Sequence, residues 1–370
     1  MYAKLSQFAS EAQQILHQAQ SELGTKASVA HMANYQAVFC RDAVVVGLLG
    51  LDEGDPVLID GLAKSLTTLR NHQGPHGQIP SNVRTEHGST SVSYGKLSPK
   101  LDSVSWYILG CARLVATGHS SPALWLPSVR AAADLLDALE YNQRHLLYVP
   151  RGGNWADEFL TEGYTLFDQA LRCWALREAA EAFGHPAWAA KSDKIAALIL
   201  SHYPLEGGLF ASSILPGTVD TRTDLAAHCI LAMAFPNGTL AVGEALRALT
   251  SQTLLQDKLP AAFWPIIQPD DPRWPELEGF HLFGMKNRPH HYHNGGIWWV
   301  WLGWLGQALY KHGLPTEELL TLCEQALKAL PKFDFEEYLT SNEGLPGGTP
   351  KLCFTAAGIR MLHHLSLAQS

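Results

Sequence analysis

Six stretches of this 370-residue chain place side chains that grip hydroxyl groups directly before, or at the start of, an apolar run. NYQAVFCRDAVVVGLL carries Arg41 and Asp42, and LSPKLDSVSWYILGCARL carries Asp102 and Trp106. RGGNWADEFLTEGYTLFDQAL follows with Asn154, Trp155, Asp157, Glu158 and Gln169, and DTRTDLAAHCIL with His228. HHYHNGGIWWVWLGWLGQAL contributes His293, Asn294 and Trp298, and KFDFEEYLTSNEGLPGGTPK contributes Glu336, Glu337 and Glu343. Carboxylates, Arg and Asn hydrogen-bond hydroxyls, while Trp or Tyr covers a C–H face, and a pyranose presents both kinds of surface. Such an inventory predicts a carbohydrate pocket if the fold brings the six stretches to one mouth.

The elements needed for that are helices. The chain shows little sustained period-two alternation and many helix-period segments punctuated by Gly, Pro and Asn, so an all-α fold is expected. The predicted helices span 4–23, 41–51, 56–72, 102–117, 122–141, 165–183, 186–203, 222–235, 239–254, 295–312, 316–330 and 350–366. Connections such as GDP near 54–56, GHSSP at 118–122, AFGHP at 182–186 and FPNG at 235–238 are short. The alternate connections are long and rich in Gly, Asn, Asp, Tyr and Trp. That alternation fits six helical hairpins in a ring, an (α/α)6 barrel whose long loops open on one face before the inner helices. No linker divides the chain, so residues 1–370 are expected to form one domain.

Composition excludes several classes. Lys and Arg total 27 against 35 Asp and Glu, a formal charge of -8, and no basic run is present to track a phosphate backbone, which argues against nucleic acid. No apolar run is long enough to span a bilayer, and the first residues lack the features of a signal peptide, so a cytoplasmic protein without a membrane partner is expected. The cysteines at 40, 111, 173, 229, 323 and 353 are widely spaced, have no CxxC pair, and are expected to be reduced core residues. Oligomeric state is left open by the sequence, a homo-oligomer included.

The blocks CRDAVVVGLLGL, LDSVSWYILGCARLVATG, TEGYTLFDQALRCWAL, HNGGIWWVWLGWLGQAL and FEEYLTSNEGLPGGTPKLCFTAAGIRML resemble, in order and position, the main motifs of the neutral/alkaline invertases, glycoside hydrolase family 100. More distantly they resemble the six-hairpin glycosidases generally, including the mannosylglycerate hydrolases. The resemblance implies an inverting hydrolase that needs no cofactor, with the Asp of the Asp-Ser block, Asp102, as general acid. The family's Trp-Pro-Glu-Tyr block reads Phe335-Glu336-Glu337-Tyr338 here, which makes Glu337 the implied base, with Glu336 and Glu343 as rivals. Inversion needs one protonated carboxyl for the leaving oxygen and one carboxylate to activate water from the opposite face. Sucrose is the first substrate implied, with another α-glucoside or α-mannoside as the alternative.

Each assignment has a plainer competitor. Asp102 also suits a helix cap, Arg41–Asp42 a local ion pair, and Asp157 is a rival acid. Gln169 faces the pocket only in one helical register. Trp298 is expected to form a stacking platform, whereas Trp301 and Trp304 belong in the core. Gly295 and Gly296 would let a ligand approach the backbone. A metal site from His290, His291 and His293 is disfavoured by its spacing, and the carboxylate mechanism needs none. A sugar epimerase of the N-acylglucosamine 2-epimerase type, using His228 and the histidines at 290–293, and a non-catalytic sugar-binding protein are the alternative readings.

Overall fold

In the tight turn Gly54-Asp55-Pro56, each residue does one job. Gly54 takes the left-handed conformation (φ 69°) and returns its N–H to Gly50, ending one helix. Asp55 caps the next by accepting from the N–H groups of Val57 and Leu58, and Pro56 occupies its first turn. The two helices so joined are α2 (Cys40–Glu53) and α3 (Pro56–Asn71). The computed structural model describes residues 2–30, 33–86, 88–140, 144–330 and 332–368. Within them the other helices are α1 (Ala3–Gln18), α4 (Asp102–Ala116), α5 (Pro122–Ala138), α6 (Leu166–Phe183), α7 (Pro186–His202), α8 (Leu225–Ala234), α9 (Leu240–Gln252), α10 (Trp274–Gly279), α11 (Trp299–Lys311), α12 (Glu317–Ala329) and α13 (Cys353–Ala368).

Burial sorts these helices into two layers. Nearly every residue of α4, α8 and α11 is buried, as expected of a helix that is apolar all round. By contrast α1 buries one stripe, Leu5, Phe8, Ala9, Ala12, Ile15 and Leu16, and leaves its other face to solvent. Helix α2 packs on α4, α4 on α6, α6 on α8, α8 on α11, α11 on α13, and α13 back on α2. The inner ring is therefore closed, and α1, α3, α5, α7, α9 and α12 lie against it from outside. This is an (α/α)6 barrel.

Four predicted helix boundaries move for a shared reason. Helix α1 ends at Gln18 rather than 23 because Gln20–Ser21 pairs with Gly24–Thr25. Helix α8 starts at Leu225 because Thr223 and Asp224 pair with Trp264 and Phe263. Helix α11 starts at Trp299, after a bridge between Ile297 and Leu339, and α13 after one between Ser28 and Leu352. Backbone groups flanking these helix ends are thus satisfied by short strand-like pairings in the loops, which sequence periodicity does not register. Two three-stranded sheets, one built on the hairpin Asn82–Glu86 and Ser89–Ser93, and the short α10 were not anticipated. The predicted end of the fifth helix, 141, lies outside the described residues.

The inner ring is tight enough to test. A Cβ added to Gly358 of α13 would lie 2.2 Å from the carbonyl oxygen of Trp299, and one on Gly303 of α11 2.8 Å from that of Gly358. These neighbours are backbone and cannot rotate away, so α11 and α13 would have to separate. Gly358→Ala is expected to destabilise the protein by about 1–3 kcal/mol, seen as a lower denaturation midpoint; an unchanged midpoint would show that the ring is looser than this.

Candidate active site

The long loops meet at the N-terminal ends of the inner helices and enclose a cavity. Arg41 and Asp42, in the first turn of α2, supply one wall, and Lys100 and Ser103 flank the start of α4. Trp155, Asp157 and Glu158 come from the loop before α6, His293 and Trp298 from the loop before α11, and Glu337 from the loop before α13. Polar residues from five of the six stretches converge; the stretch before α8, with Asp224 and His228, lines no part of this cavity, a correction to the expected six.

Glu337 is held from two sides: Oε2 accepts from the Thr349 N–H at 3.2 Å and Oε1 from the Tyr35 hydroxyl at 3.4 Å. Burial, opposed by the Thr349 N–H and Lys286, raises its carboxyl from the ordinary range to about 7. Gly348 has φ 84°, and a Cβ there would lie 2.5 Å from the Glu337 carboxylate, so the GLPGG turn makes room for this side chain. Asp42 is raised to about 6, again chiefly by burial. Asp157 is paired with Lys100. Partial desolvation at the cavity wall works against ionisation, but the charges of Lys100 and Arg41 outweigh that and hold its carboxyl below the ordinary range.

Asp102 stands behind this surface. Its side chain is 0% exposed, its Oδ2 is 2.6 Å from Arg41 Nη1, and its Oδ1 has no partner. Arg41, not Asp102, reaches the cavity wall. Asp102 makes no side-chain capping bond to α4, so its expected competitor role as a helix cap is not what holds it.

His293 Nδ1 lies 2.9 Å from the Asp157 carbonyl oxygen, and since a carbonyl only accepts, Nδ1 carries hydrogen and donates it. Burial lowers its pKa to about 3, so the ring is neutral. Glu158, with φ 57°, anchors the loop over the mouth: Oε1 accepts from the Leu282 N–H at 3.2 Å, its carbonyl accepts from Asn287 Nδ2 at 2.6 Å, and Lys286 lies 3.7 Å away.

Several expected sugar contacts are instead internal. Trp106 is fully buried. Asn154 spends its amide on Asp168, Ala156 and Thr161, Gln169 on both backbone groups of Leu147, and Asn294 on Ile267 and Asn287. Their polar atoms hold the loops in shape and have little left for a ligand. Trp298 reaches the cavity wall but is only 4% exposed, lying parallel to the His293 ring at 5.2 Å and tilted 26° to Tyr338 at 6.1 Å, so most of its surface is spent on neighbouring rings. Trp301 and Trp304 are buried, as expected. The flat surfaces and charges that sequence reasoning missed are Tyr35, Tyr292, Phe283, Lys100 and Lys286. Lys100 stands two residues from Asp102 and was within reach; Phe283 and Lys286 lie in a long connection with no periodicity to place them.

The histidines diverge. His290 turns to Ser341, His291 to the Tyr338 hydroxyl and His293 to Asp157, and among the described residues no cluster of ligating side chains could hold a metal ion. His228 has one ring nitrogen on the Asp224 carbonyl and accepts the Phe210 N–H at the other, so both are occupied.

The same fold recurs among solved structures. A mannosylglycerate hydrolase of glycoside hydrolase family 63 from Thermus thermophilus, in complex with Tris and D-glycerate, is 12% identical over 96% of this chain and 100% of its own, with a TM-score of 0.66. A wild-type glycosidase is 14% identical over 98% of this chain and 97% of its own (TM-score 0.66). A rhamnosidase from Klebsiella oxytoca with rhamnose bound is 11% identical over 99% of this chain and 64% of its own (TM-score 0.68). Their shared architecture is that of the (α/α)6-barrel glycoside hydrolases. Residues 119–365 match the pattern of the alkaline and neutral invertases, and the chain belongs to that family of glycoside hydrolases. No curated protein sequence matches it. Nothing in this set supports the epimerase alternative, and His228, with both ring nitrogens occupied, is not free to serve as its acid or base.

Proposed function

We propose that the protein is an inverting hydrolase of a small α-glycoside, with Asp102 as general acid and Glu337 as general base, and with all of residues 1–370 acting as one catalytic unit. The observation that carries this reading is the cavity that Glu337 lines together with Arg41, Asp42 and Asp157. Sucrose is the first candidate substrate from the family, and the structural likeness to a mannosylglycerate hydrolase keeps an α-mannoside as the alternative. Six buried, unpaired cysteines favour the reducing cytoplasm.

In this mechanism Arg41 and Asp42 grip the sugar hydroxyls. Asp102 lies directly behind Arg41, so hydroxyls that draw the guanidinium aside open a path from its carboxyl to the leaving oxygen, to which it donates a proton. Glu337, ionised above about pH 7, takes a proton from the water that attacks the opposite face. Asp157, paired with Lys100, stays charged and supports positive charge developing on the ring.

The test is stereochemical. Proton NMR of a freshly cleaved α-glycoside is expected to show free monosaccharide with the β-anomer appearing first. The α-anomer first would mean retention and overturn the two roles, and interconversion of free sugars without cleavage would overturn the reaction.

A further inference from the structure

The substrate cavity has a buried floor and an exposed rim. Asp42, Trp155, His293 and Glu337 line the floor, each less than a tenth exposed. One side of the rim is built by Lys96, Leu282 and Phe283, all exposed. Phe283 belongs to the connection between α10 and α11, which is braced on both sides of it. Phe280 packs on Gly152, where an added Cβ would lie 3.1 Å from its ring. The Leu282 N–H and the Asn287 amide both donate to Glu158, at 3.2 and 2.6 Å, and the Gly284 N–H donates to His281 Nδ1 at 3.2 Å. Phe283 is therefore held out at the mouth, with 71% of it exposed. Lys96 Nζ lies 5.0 Å from its ring centroid, over one face, and exposure on that scale leaves the other face open.

A phenylalanine exposed on a protein surface is ordinary; this one is distinguished by where it stands. Lys96 lies in the segment that leads into α4 and ends at Asp102, the proposed acid, so the two rim residues stand on the side where the leaving oxygen is protonated. Hydrolysis also sets the direction of the substrate. The sugar under attack lies on the buried floor with Arg41 and Asp42, and the group that departs extends toward the open rim. The flat surface it meets there is Phe283. A cyclic leaving group can lay a C–H or π face on that ring, whereas a short acyclic one has no face to offer. We propose that Phe283 is the stacking platform of a leaving-group subsite and selects glycosides whose leaving group is itself a ring. This selectivity rests on the hydrolytic role of the cavity and favours disaccharides over glycosides of small acyclic alcohols.

Two substrates of the same sugar separate the platform from the chemistry. A 4-nitrophenyl α-glycoside and an α-glycosyl fluoride both depart with little help from an acid, but only the first brings a ring to the rim. With the glucosyl or the mannosyl pair, whichever wild type cleaves, Phe283→Ala is expected to lower kcat/KM for the nitrophenyl glycoside about tenfold relative to that for the fluoride, the loss of one stacking contact. The loss should appear in KM rather than kcat, because the contact is made in the ground state and the transition state alike. Phe283→Trp, which restores a flat face, should recover it. Since Phe283 is exposed, neither substitution opens a hole in the core. An equal loss on both substrates would overturn the proposal by showing that the loop only shelters the reacting sugar, and no loss on either would overturn it by showing that the leaving group never reaches the ring. A wild type that cleaves a fluoride but refuses the matching nitrophenyl glycoside would overturn it as well. Failure to cleave any of the four substrates would instead overturn the glycosidase reading itself, and the subsite with it.

Discussion

Glu337→Gln is expected to lower kcat by about 10²–10⁴-fold on a natural disaccharide and equally on a glycosyl fluoride. Water activation is required whatever group leaves, so a better leaving group gives no rescue. The pH dependence supplies a second readout. The catalytic base must be ionised, and burial has raised Glu337 to about 7, so wild-type kcat/KM should climb as pH rises through about 7. In the Gln variant the residual activity should lose that ascending limb. Stability should move the other way. A carboxyl whose folded pKa lies above its unfolded value contributes stability below the unfolded value and loses it as pH rises through the folded one. At pH 8 the Gln variant, which has no proton to lose, should therefore melt no lower than wild type. A variant that keeps near wild-type kcat, or a limb that survives the substitution, would transfer the base role to another carboxylate.

How much of this was legible in the sequence depends on what each residue answers to. Helices were visible because burial of a whole surface (α4) or of one stripe (α1) imposes a period, and tight turns because Gly54, Asp55 and Pro56 each solve a backbone problem with one residue type. Arg41, Asp42, Asp157 and Glu337 were findable because they sit at the start of an inner helix or in the long loop before one, positions the hairpin alternation predicts. Asn154, Gln169 and Asn294 occupy the same sequence positions, and nothing in their type says whether an amide faces a ligand or, as here, satisfies a neighbouring loop backbone. Lys286 and Phe283 were hidden for the converse reason. Their loop is tied to the site by Glu158, through contacts between residues 124 or more positions apart that leave no local trace.

Asp102 carries the second large expectation, and the structure makes it a sharper one. The sequence placed this carboxyl on an open pocket, where an amide would cost little; it is instead fully buried against Arg41. Breaking a buried pair by removing one partner costs about 3–5 kcal/mol, so Asp102→Asn should be assayed well below its melting temperature, with folding checked by circular dichroism. Under those conditions hydrolysis of the disaccharide should fall about 10²–10⁴-fold, whereas a glycosyl fluoride, whose departure needs little proton donation, should retain far more activity. Asp157→Asn gives the contrasting pattern. It removes the partner of Lys100 and a charge beside the reacting ring, so it should slow both substrates without discriminating between their leaving groups. The family match begins at residue 119 and so contains Asp157 and Glu337 but neither Arg41 nor Asp102, which makes the comparison of the two aspartates decisive. If Asp157→Asn, and not Asp102→Asn, loses the disaccharide while sparing the fluoride, the acid belongs to the loop before α6. Asp102 would then be the buried anchor that holds Arg41 in place at the cavity wall.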